Sequence, residues 1–446
     1  MRAIRELPLA LSLLLTGLAL FFGGGAEGRS LPLLGGGALL ALLLAAATHG
    51  VPRGLGSVLP LALLATWLAG SIAWSGLPDR SWEYADRALV YVLFALLGLW
   101  LAERTRQLAL GLLVLFAAAV AWSLLGKVLP PVYDYGPPGV ARLKGPVGLW
   151  NQLALVAAIG LPLALWRRRA EGVLVAYGCL VALLLTYSRG GLATAILVLI
   201  AWFALSDDRL RSGVLLLAAA LPGAVVVGIA FVLPGITSDH QSRTTRWHDG
   251  LIFGVLLLAG AVAAVFLARV RAPRDTPGLR RALIVVGAVV LAAAAAVVIV
   301  KAGSFTSSAQ VSNSGPQRFS SGGSNFRTVW WKQAWQGWEG AKLVGTGAGS
   351  FHLTNLAHRT SYLDYTIEPH DLPLQMLSET GIVGLLLFLA AAAALLRHSA
   401  ALLRRTAARP GPELALALVL PAYLVHSLVD VDWDFAAVSV PAFLVA

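Results

Sequence analysis

The stretch "QLALGLLVLFAAAVAWSLLG", residues 107–126, contains no charged side chain. An α-helix of this length rises ~30 Å, which matches the thickness of the hydrocarbon core of a bilayer. Comparable runs recur throughout the 446-residue chain, of which 58% is hydrophobic and only 13% is charged. This composition excludes a water-soluble globular protein and predicts an integral membrane protein.

The apolar runs are continuous rather than alternating, so they predict helices and exclude a transmembrane β-barrel. We expect an all-α polytopic bundle of about 12–14 membrane segments. The predicted segments are 8–23, 31–48, 55–74, 88–102, 107–126, 149–166, 172–187, 190–206, 212–234, 249–268, 282–301, 376–396, 413–429 and 435–446. The last segment is too short to cross a bilayer alone. We divide the chain into N-terminal transmembrane helices (1–301), a large outer loop (302–375) and C-terminal transmembrane helices (376–446).

Basic residues are distributed unevenly between the two sides of the predicted bundle. With a cytoplasmic N-terminus, about 19 of the 34 Lys and Arg residues fall on the inner side, as the positive-inside rule requires. This topology explains the net charge of +12 without a nucleic-acid partner. The single cysteine, Cys179, lies inside an apolar run, which excludes a disulfide framework and a cysteine-based metal site. The polar loops that contain the candidate site residues all fall on the outer side.

The junction "TYSRGG", residues 186–191, places Arg189 between two apolar runs. Because a charge is costly in lipid, Arg189 either extends to the membrane interface or binds a buried anion. Gly190 and Gly191 allow backbone N–H groups to approach a ligand, and the positive end of the next helix adds to the guanidinium charge. The junction therefore suits a phosphate, with a plain interfacial arginine as the alternative.

The outer loop contains "NFRTVWWKQAWQGWEGAKLVGTGAGSF", residues 325–351. Arg327, Trp331, Ala334 and Trp338 share a face at helical spacing, which predicts an amphipathic helix at the membrane surface. Simple interfacial anchoring explains the tryptophans better than it explains Arg327. The "GTGAGS" glycines follow no predicted strand, so they indicate a turn rather than a nucleotide-binding loop.

The stretch "IEPHDLPLQMLSETGIVGLLLF", residues 367–388, places His370 directly before a helix. Asp371 is a predicted N-cap, and Pro373 occupies the first helical turn. The helix dipole disfavours an imidazolium there, so we expect His370 to be neutral near pH 7 and able to act as a general base. The alternative is a histidine that only caps the helix or forms an interfacial hydrogen bond.

Two further outer stretches carry polar side chains. In "ARLKGPVGLWNQLA", Arg142 and Lys144 precede Asn151. These residues either extend a positively charged entrance to the site or are ordinary surface residues of a loop. In "HSLVDVDWDF", the candidates are His426, Asp430, Asp432 and Asp434. These residues could hold a divalent cation, but acids at every second position point in different directions, which favours capping or acceptor positioning.

Several of these motifs together resemble one family. The elements "RLKGPVGLWNQLA", "YSRGG", "FR…W", "GTGAGSF" and "PHDLPLQMLSETGIVGLLLF" are similar to the O-antigen ligase and O-antigen polymerase family of bacterial membrane glycosyltransferases, over roughly residues 140–430. The most specific pattern comprises His370, Leu374, Gln375, Leu377, Glu379, Gly381 and Gly384. Many relatives have Asn where this chain has Asp371.

The resemblance implies a fold similar to that of lipid-dependent glycosyltransferases of the GT-C type, in the inner (cytoplasmic) membrane of a bacterium. It implies a glycan donor on undecaprenyl diphosphate, a glycan or glycolipid acceptor, a periplasmic or extracellular active site among membrane lipids, and no metal or other cofactor. Carried over to this chain, Arg189 and Arg327 would bind the donor diphosphate and His370 would activate the acceptor hydroxyl. Candidate substrate-binding residues are Arg142, Lys144, Asn151, Asp371, Gln375, Glu379, His426 and Asp430.

A transporter or flippase for an anionic lipid or sugar is the alternative function. Such a protein would carry charged groups at the middle of the membrane and broken helices there. The charges of this chain cluster at one surface instead, which favours the glycosyltransferase.

Overall fold

The computed structural model describes residues 2–130, 139–270, 314–406 and 411–446, together with residues 276, 278 and 281. The structure is 78% helical, and the described residues include no strand. The all-α prediction is therefore confirmed. The predicted segment 282–301 lies outside the described residues, as does the first part of the outer loop, residues 302–313.

The first part of the bundle consists of helices joined by short connections. They are α1 (Arg2–Phe21), α2 (Leu31–His49), α3 (Leu59–Gly70), α4 (Pro78–Leu101), α5 (Thr105–Val128), α6 (Trp150–Arg167), α7 (Ala170–Leu185), α8 (Arg189–Leu205), α9 (Arg209–Ala230), α10 (Pro234–Thr237) and α11 (Arg243–Leu267). The later part contains α12 (Gln317–Ser320), α13 (Arg327–Gly340), α14 (Phe351–His358), α15 (Leu372–Thr406), α16 (Pro412–Ala417), α17 (Val419–His426) and α18 (Ala436–Leu444).

Six stretches of the described residues are long and apolar enough to cross a membrane. They are Ile4–Phe21, Gly28–His49, Pro78–Val128, Arg209–Ala230, Arg243–Leu267 and Leu372–Ala401. Large apolar side chains remain exposed on such helices; on α11 these include Val255, Leu258 and Val262. Apolar surface of this extent faces lipid rather than water. The chain is thus a multi-pass membrane protein.

Helix α4 begins at Pro78, ten residues before the predicted start at 88. Residues 75–87 lie between the predicted segments 55–74 and 88–102, but residues 78–87 are helical and belong to α4. The charges pair along the helix instead, with Arg80 contacting Glu83 and Glu83 contacting Arg87. Pairs at this spacing stabilise a helix, and Pro78 suits its first turn.

Helix α15 covers the predicted segment 376–396 but is interrupted at Gly381, where φ is +67°. The freed backbone groups pair with the segment that follows α13. The N–H of Gly347 donates to the carbonyl of Glu379 (2.7 Å), and the N–H of Ile382 donates to that of Lys342 (2.9 Å). A Cβ at Gly381 would lie only 2.1 Å from the Leu343 carbonyl oxygen, so the close approach requires glycine.

Helix α6 forms the centre of the bundle. Its residues from Asn151 to Leu165 are all buried, and it packs against α5, α7, α8 and the C-terminal helices α16 and α17. Helix α18 is also buried and packs on α1 and α4, so the short final segment is enclosed by other helices. Polar side chains at the first turn of α6 are therefore held rigidly where α8 begins and α17 ends.

Candidate functional site

Asp430 lies just after α17 and is only 2% exposed. Nη2 of Arg327 lies 3.2 Å from its Oδ2, and Nδ1 of His370 lies 3.6 Å from its Oδ1. The side-chain amide of Asn151 also donates to Oδ2. One buried carboxylate therefore brings together residues from α6, from α13 and from the segment before α15.

His370 occupies the turn that leads into α15, as predicted, with φ at +56°. The Oδ1 of Asp371 accepts the N–H of Leu374 (2.8 Å), which confirms the predicted cap. The N–H of Leu372 donates to the carbonyl of Ser427 (2.9 Å), so the turn is tied to the chain just before Asp430. The backbone of His370 is thus fixed from both sides.

Trp330 holds the imidazole ring itself. The two ring centroids are 5.1 Å apart with an angle of 23° between the planes, so Trp330 stacks on His370. The indole N–H donates to the carbonyl of Asp364 (2.7 Å), which fixes the indole in turn. Because Trp330 lies one turn after Arg327 on α13, this helix positions both the imidazole and a guanidinium group.

Arg189 is the first residue of α8, and Ser188 caps this helix by accepting the N–H of Gly191. The guanidinium group donates to two loop carbonyls, those of Ser321 (2.6 Å) and Gly323 (2.7 Å). This forked arrangement is the geometry in which arginine binds two oxygens of a phosphate. The carbonyls are neutral, so the charge of Arg189 is not compensated by them.

Two further guanidinium groups lie beside the segment that leads into α8. Nε of Arg142 donates to the carbonyl of Thr186 (2.7 Å), and its guanidinium carbon lies 4.2 Å from the centre of the Trp150 ring. Nε of Arg318 donates to the carbonyl of Tyr187 (3.2 Å). Arg318, on α12, was not among the predicted site residues.

We name these residues the Asp430 cluster; its members are Arg142, Arg189, Arg318, Arg327, His370, Asn151 and Asp430. Burial and then the neighbouring Arg318 lower the pKa of Arg142 to about 8. Burial, followed by the charges of Arg189 and Arg327, lowers the pKa of Arg318 to about 10. Guanidinium groups carry a positive charge in proteins, and the four in this cluster outnumber its single carboxylate.

Asp430 stays ionised within this cluster. Burial alone would raise the pKa of its carboxyl group, but the contact with His370 and the charge of Arg327 outweigh burial and hold the pKa well below its ordinary value. The cluster as a whole therefore carries excess positive charge in a largely buried place. Such a place suits an anionic ligand.

Some of the buried polar atoms without a partner lie in this cluster or beside it. Within the part of the chain that the structure describes, Nε of Arg327 and Nε2 of His426 are buried and have no hydrogen-bond partner. The other ring nitrogen of His426 faces Asp432 at 2.8 Å. Buried polar groups normally have partners, so atoms of this kind indicate a place where a ligand or water binds.

The three C-terminal carboxylates contact different groups. Asp432 accepts hydrogen bonds from His426 and from Ser427, whereas Asp434 lies 3.9 Å from Nε of Arg87. Asp430 belongs to the cluster described above. Across the described ranges, no group of three His, Cys, Asp or Glu residues is arranged to hold a metal ion.

Gln375 and Glu379 lie in a second buried network, although the same sequence pattern contains His370. The Glu379 carboxylate accepts the N–H groups of Gly349 (2.8 Å) and Phe351 (3.0 Å), at the start of α14. Gln375 donates to the hydroxyl of Tyr84 (2.8 Å). We name this group the Glu379 network; its members are Arg80, Tyr84, Glu368, Gln375 and Glu379. These contacts hold protein segments together, and a role in substrate binding remains a prediction.

Neither Arg318 nor the stacking of Trp330 on His370 was predicted from the sequence. Arg318 lies in the polar stretch "SGPQRFSSGG", where no periodicity marks it, and its only signal was a positive charge in the long outer loop. Lys144 follows Arg142 by two residues and is half-buried, with its carbonyl accepting the N–H of Gly148 (2.9 Å). Whether Lys144 binds substrate remains a prediction.

Residues 250–389 match the family model described as O-Antigen ligase. The match includes Arg327 and His370, and it leaves Arg189 and Asp430 outside. It confirms the resemblance drawn from the motifs and indicates membrane glycosyltransferase activity of the O-antigen ligase type. No curated protein matches the chain.

Proposed function

We propose that this member of the O-antigen ligase family transfers a glycan from undecaprenyl diphosphate to an acceptor hydroxyl. The acceptor is a glycan or a glycolipid, and transfer takes place on the extracytoplasmic side of the bacterial cytoplasmic membrane. The distribution of basic residues supports this side, because the segments that form the Asp430 cluster fall outside in the positive-inside topology.

The observation that supports the proposal most strongly is the sharing of Asp430. A phosphate-binding cation, Arg327, and a base, His370, contact the two oxygens of one carboxylate. A leaving group bound by Arg327 is then close to a nucleophile that is activated by His370. Placing both reactants beside such groups removes much of the entropic cost of their encounter.

Arg189 and Arg327 bind the donor diphosphate in this proposal. The carbonyl oxygens of Ser321 and Gly323, now on the Arg189 fork, occupy the places that phosphate oxygens would take. Donor binding therefore displaces residues 321–323 from Arg189. The exchange is favourable because a charged phosphate oxygen accepts a stronger hydrogen bond from arginine than a neutral carbonyl does.

The chemical step follows from the orientation of His370. Its Nδ1 faces Asp430, which leaves Nε2 to accept the proton of the acceptor hydroxyl. The hydroxyl oxygen attacks the anomeric carbon as the bond from that carbon to the diphosphate oxygen breaks, with inversion at the carbon. The proton ends on His370, and the negative charge ends on the diphosphate. Two guanidinium groups stabilise this charge, so the step needs no metal ion and no other cofactor.

Reconstitution with a defined donor tests the proposal. The purified protein in detergent, given a glycan on undecaprenyl diphosphate and an acceptor glycan, is expected to form a new glycosidic bond in the presence of EDTA. Arg189→Ala should raise the KM for donor, while His370→Ala should abolish turnover. Matched variants of exposed residues, Arg243→Ala and His358→Ala, should leave both parameters unchanged.

Three results would contradict the proposal. Loss of activity on chelation would favour a metal-dependent reaction, and turnover in the His370 variant would remove the base. Movement of the lipid-linked glycan across liposome membranes without bond formation would favour the transporter.

A further inference from the structure

We propose that residues 353–367 of the outer loop lie against the membrane surface and contact its anionic phospholipids. These residues belong to α14 and to the segment that connects it to α15, and neither was predicted to contact lipid. The inference is independent of the donor and of the reaction. Because the segment ends three residues before His370, such contact holds the His370 turn close to the bilayer.

The segment between α14 and α15 has a polarity opposite to that of a surface in water. The exposed residues between 362 and 368 are Tyr362, Leu363, Tyr365 and Ile367. The buried residues that alternate with them are all polar, namely Asp364, Thr366 and Glu368. In water the opposite arrangement is expected, because burial favours apolar side chains and is costly for carboxylates. The outward side of this segment therefore fits an apolar partner.

Helix α14 shows the same inversion. Leu353 and Leu356 are exposed, whereas Asn355 is fully buried. The side-chain amide of Asn355 donates to the carbonyl of Asp364 (2.9 Å), and its oxygen accepts the N–H of Thr366 (3.2 Å). The polar sides of α14 and of the following segment thus pack on each other, which leaves the apolar side chains of both on the outside.

We name the exposed apolar residues of both elements the Tyr362 face; its members are Leu353, Leu356, Tyr362, Leu363, Tyr365 and Ile367. The hydroxyl of Tyr365 lies 3.2 Å from Nε2 of His352 on α14, so the two elements lie side by side. Contiguous exposed apolar residues mark a contact surface, and tyrosine is enriched where a protein crosses from lipid to water.

The Tyr362 face continues into the apolar surface of the bundle. Leu353 packs beside Gly76, where a Cβ would lie 2.7 Å from the Leu353 Cδ1. Two residues earlier, the exposed Trp74 donates its indole N–H to the carbonyl of the exposed Val344 (3.3 Å). The Trp74 ring also packs on Trp67 of the apolar helix α3, with 5.5 Å between the ring centroids. This continuity favours the bilayer over a separate protein as the partner.

The charges beside the Tyr362 face fit anionic headgroups. Residues 341–369 contain two acids, Asp364 and Glu368, and both are buried. The Lys and Arg residues of the same range, Lys342 and Arg359, are exposed. The Arg359 guanidinium carbon lies 5.8 Å from the centre of the Tyr365 ring, so this charge borders the face. Basic residues around an apolar surface are attracted to anionic phospholipids.

Spin labelling of the full-length protein in nanodiscs tests the inference. Cys179, the single cysteine, is buried, and Cys179→Ala provides a background in which Tyr362→Cys carries the only nitroxide. Oxygen collides with a label in lipid, whereas a water-soluble nickel complex collides with a label in water. In phosphatidylcholine with phosphatidylglycerol, we expect the oxygen-to-nickel ratio at residue 362 to exceed the control ratio several-fold. The control is Arg29→Cys, at an exposed position between α1 and α2.

The same label tests the role of charge. The ratio at residue 362 should fall when phosphatidylglycerol is left out. Lys342→Gln combined with Arg359→Gln should remove this dependence on phosphatidylglycerol, because the cations that attract its headgroup are then absent. Arg243→Gln, at an exposed position at the start of α11, is the matched control and should keep the dependence.

Three results would overturn the inference. A label at residue 362 that is as accessible to nickel as the control would show that the face meets water. A label protected from both reagents would show that protein covers the face. A lipid-exposed label whose ratio does not respond to phosphatidylglycerol would contradict the contact with anionic headgroups.

Discussion

The Asp430 cluster and the Glu379 network both include residues at the start of α15, but they differ in their balance of charge. The cluster combines four arginines with one carboxylate, and it includes the unpartnered Nε of Arg327. The network combines Arg80 with the two carboxylates of Glu368 and Glu379, and its hydrogen bonds run between protein groups. A site for an anion has more positive charge than its own carboxylates balance. In a structural network, by contrast, the polar groups form hydrogen bonds with one another.

One sequence pattern contributes residues to both the Asp430 cluster and the Glu379 network. His370 belongs to the cluster, while Gln375 and Glu379, five and nine residues later, belong to the network. The start of α15 thus carries the proposed base, His370, and also the residues that attach the outer loop, Gln375 and Glu379. Substitutions in the two groups should affect different measurements, and this difference can be tested.

Substitution of His370 should have the largest effect. His370→Gln keeps the approximate size of the side chain but removes the base, so kcat should fall by about 10²–10⁴-fold. Binding of undecaprenyl diphosphate should persist, because the arginines are unchanged. Steady-state transfer together with donor titration checks both values, with His358→Gln as the control. A normal kcat would place the base elsewhere.

Asp430→Asn should have the next largest effect. The amide cannot balance the charge of Arg327 and presents a neutral oxygen to His370 in place of a carboxylate, so we expect kcat to fall by about 10²-fold. Transfer assays on a folded preparation measure this change. Asp207→Asn, at an exposed position, should behave as the wild type. If Asp430→Asn lost thermal stability alone, the cluster would resemble the network.

Glu379→Gln should change stability rather than chemistry. The carboxylate accepts two backbone N–H groups through separate oxygens, and an amide offers only one acceptor oxygen. One buried N–H is left without a partner, which costs about 1–3 kcal/mol. The apparent Tm in detergent should fall, while kcat per folded molecule stays constant. Glu103→Gln, which is exposed, is the control; a fall in kcat without a fall in Tm would assign Glu379 to the reaction.

Asp371→Asn should have the smallest effect, on the pH dependence of stability. Burial raises the pKa of Asp371 to about 6 from its ordinary 3.8, so the folded protein holds this proton more tightly than the unfolded chain does. The resulting stability is complete below about pH 4 and is lost as the pH rises through about 6. Asn keeps an oxygen for the N–H of Leu374 without titrating.

The variant should therefore gain apparent Tm relative to the wild type between pH 4.5 and pH 7.5. Measurements of Tm across this range check the sign. A constant difference between the two proteins would show that Asp371 does not titrate there.

The sequence predicted the membrane architecture well because a helix that crosses lipid is a local property of about twenty consecutive residues. It also placed His370 at a helix start and identified Asp371 as the cap, since both follow from adjacent residues. It did not predict that α4 extends back to Pro78, because the ion pairs there make a charged stretch helical. Local patterns thus predicted the helices but placed the starts of α4, α11 and α15 too late in the chain.

The site was predicted less completely. Arg189, Arg327 and His370 were proposed to meet, and the structure places Arg327 and His370 on one carboxylate. The contribution of Arg318 and the separation of Glu379 from the cluster depend on contacts between residues far apart in the chain. No periodicity encodes such contacts, so they appear only in the folded protein.

The break at Gly381 determines which parts of the protein can move together. Because residues 342–347 are bonded to the backbone of α15 on both sides of the break, the end of α13 and the helix start after His370 behave as a single body. Motion that admits the proposed lipid-linked donor is therefore expected upstream of Arg327, where the backbone is not part of this bonded segment. There, the consecutive residues Asn325 and Phe326 both adopt the left-handed conformation, which is strained for residues other than glycine.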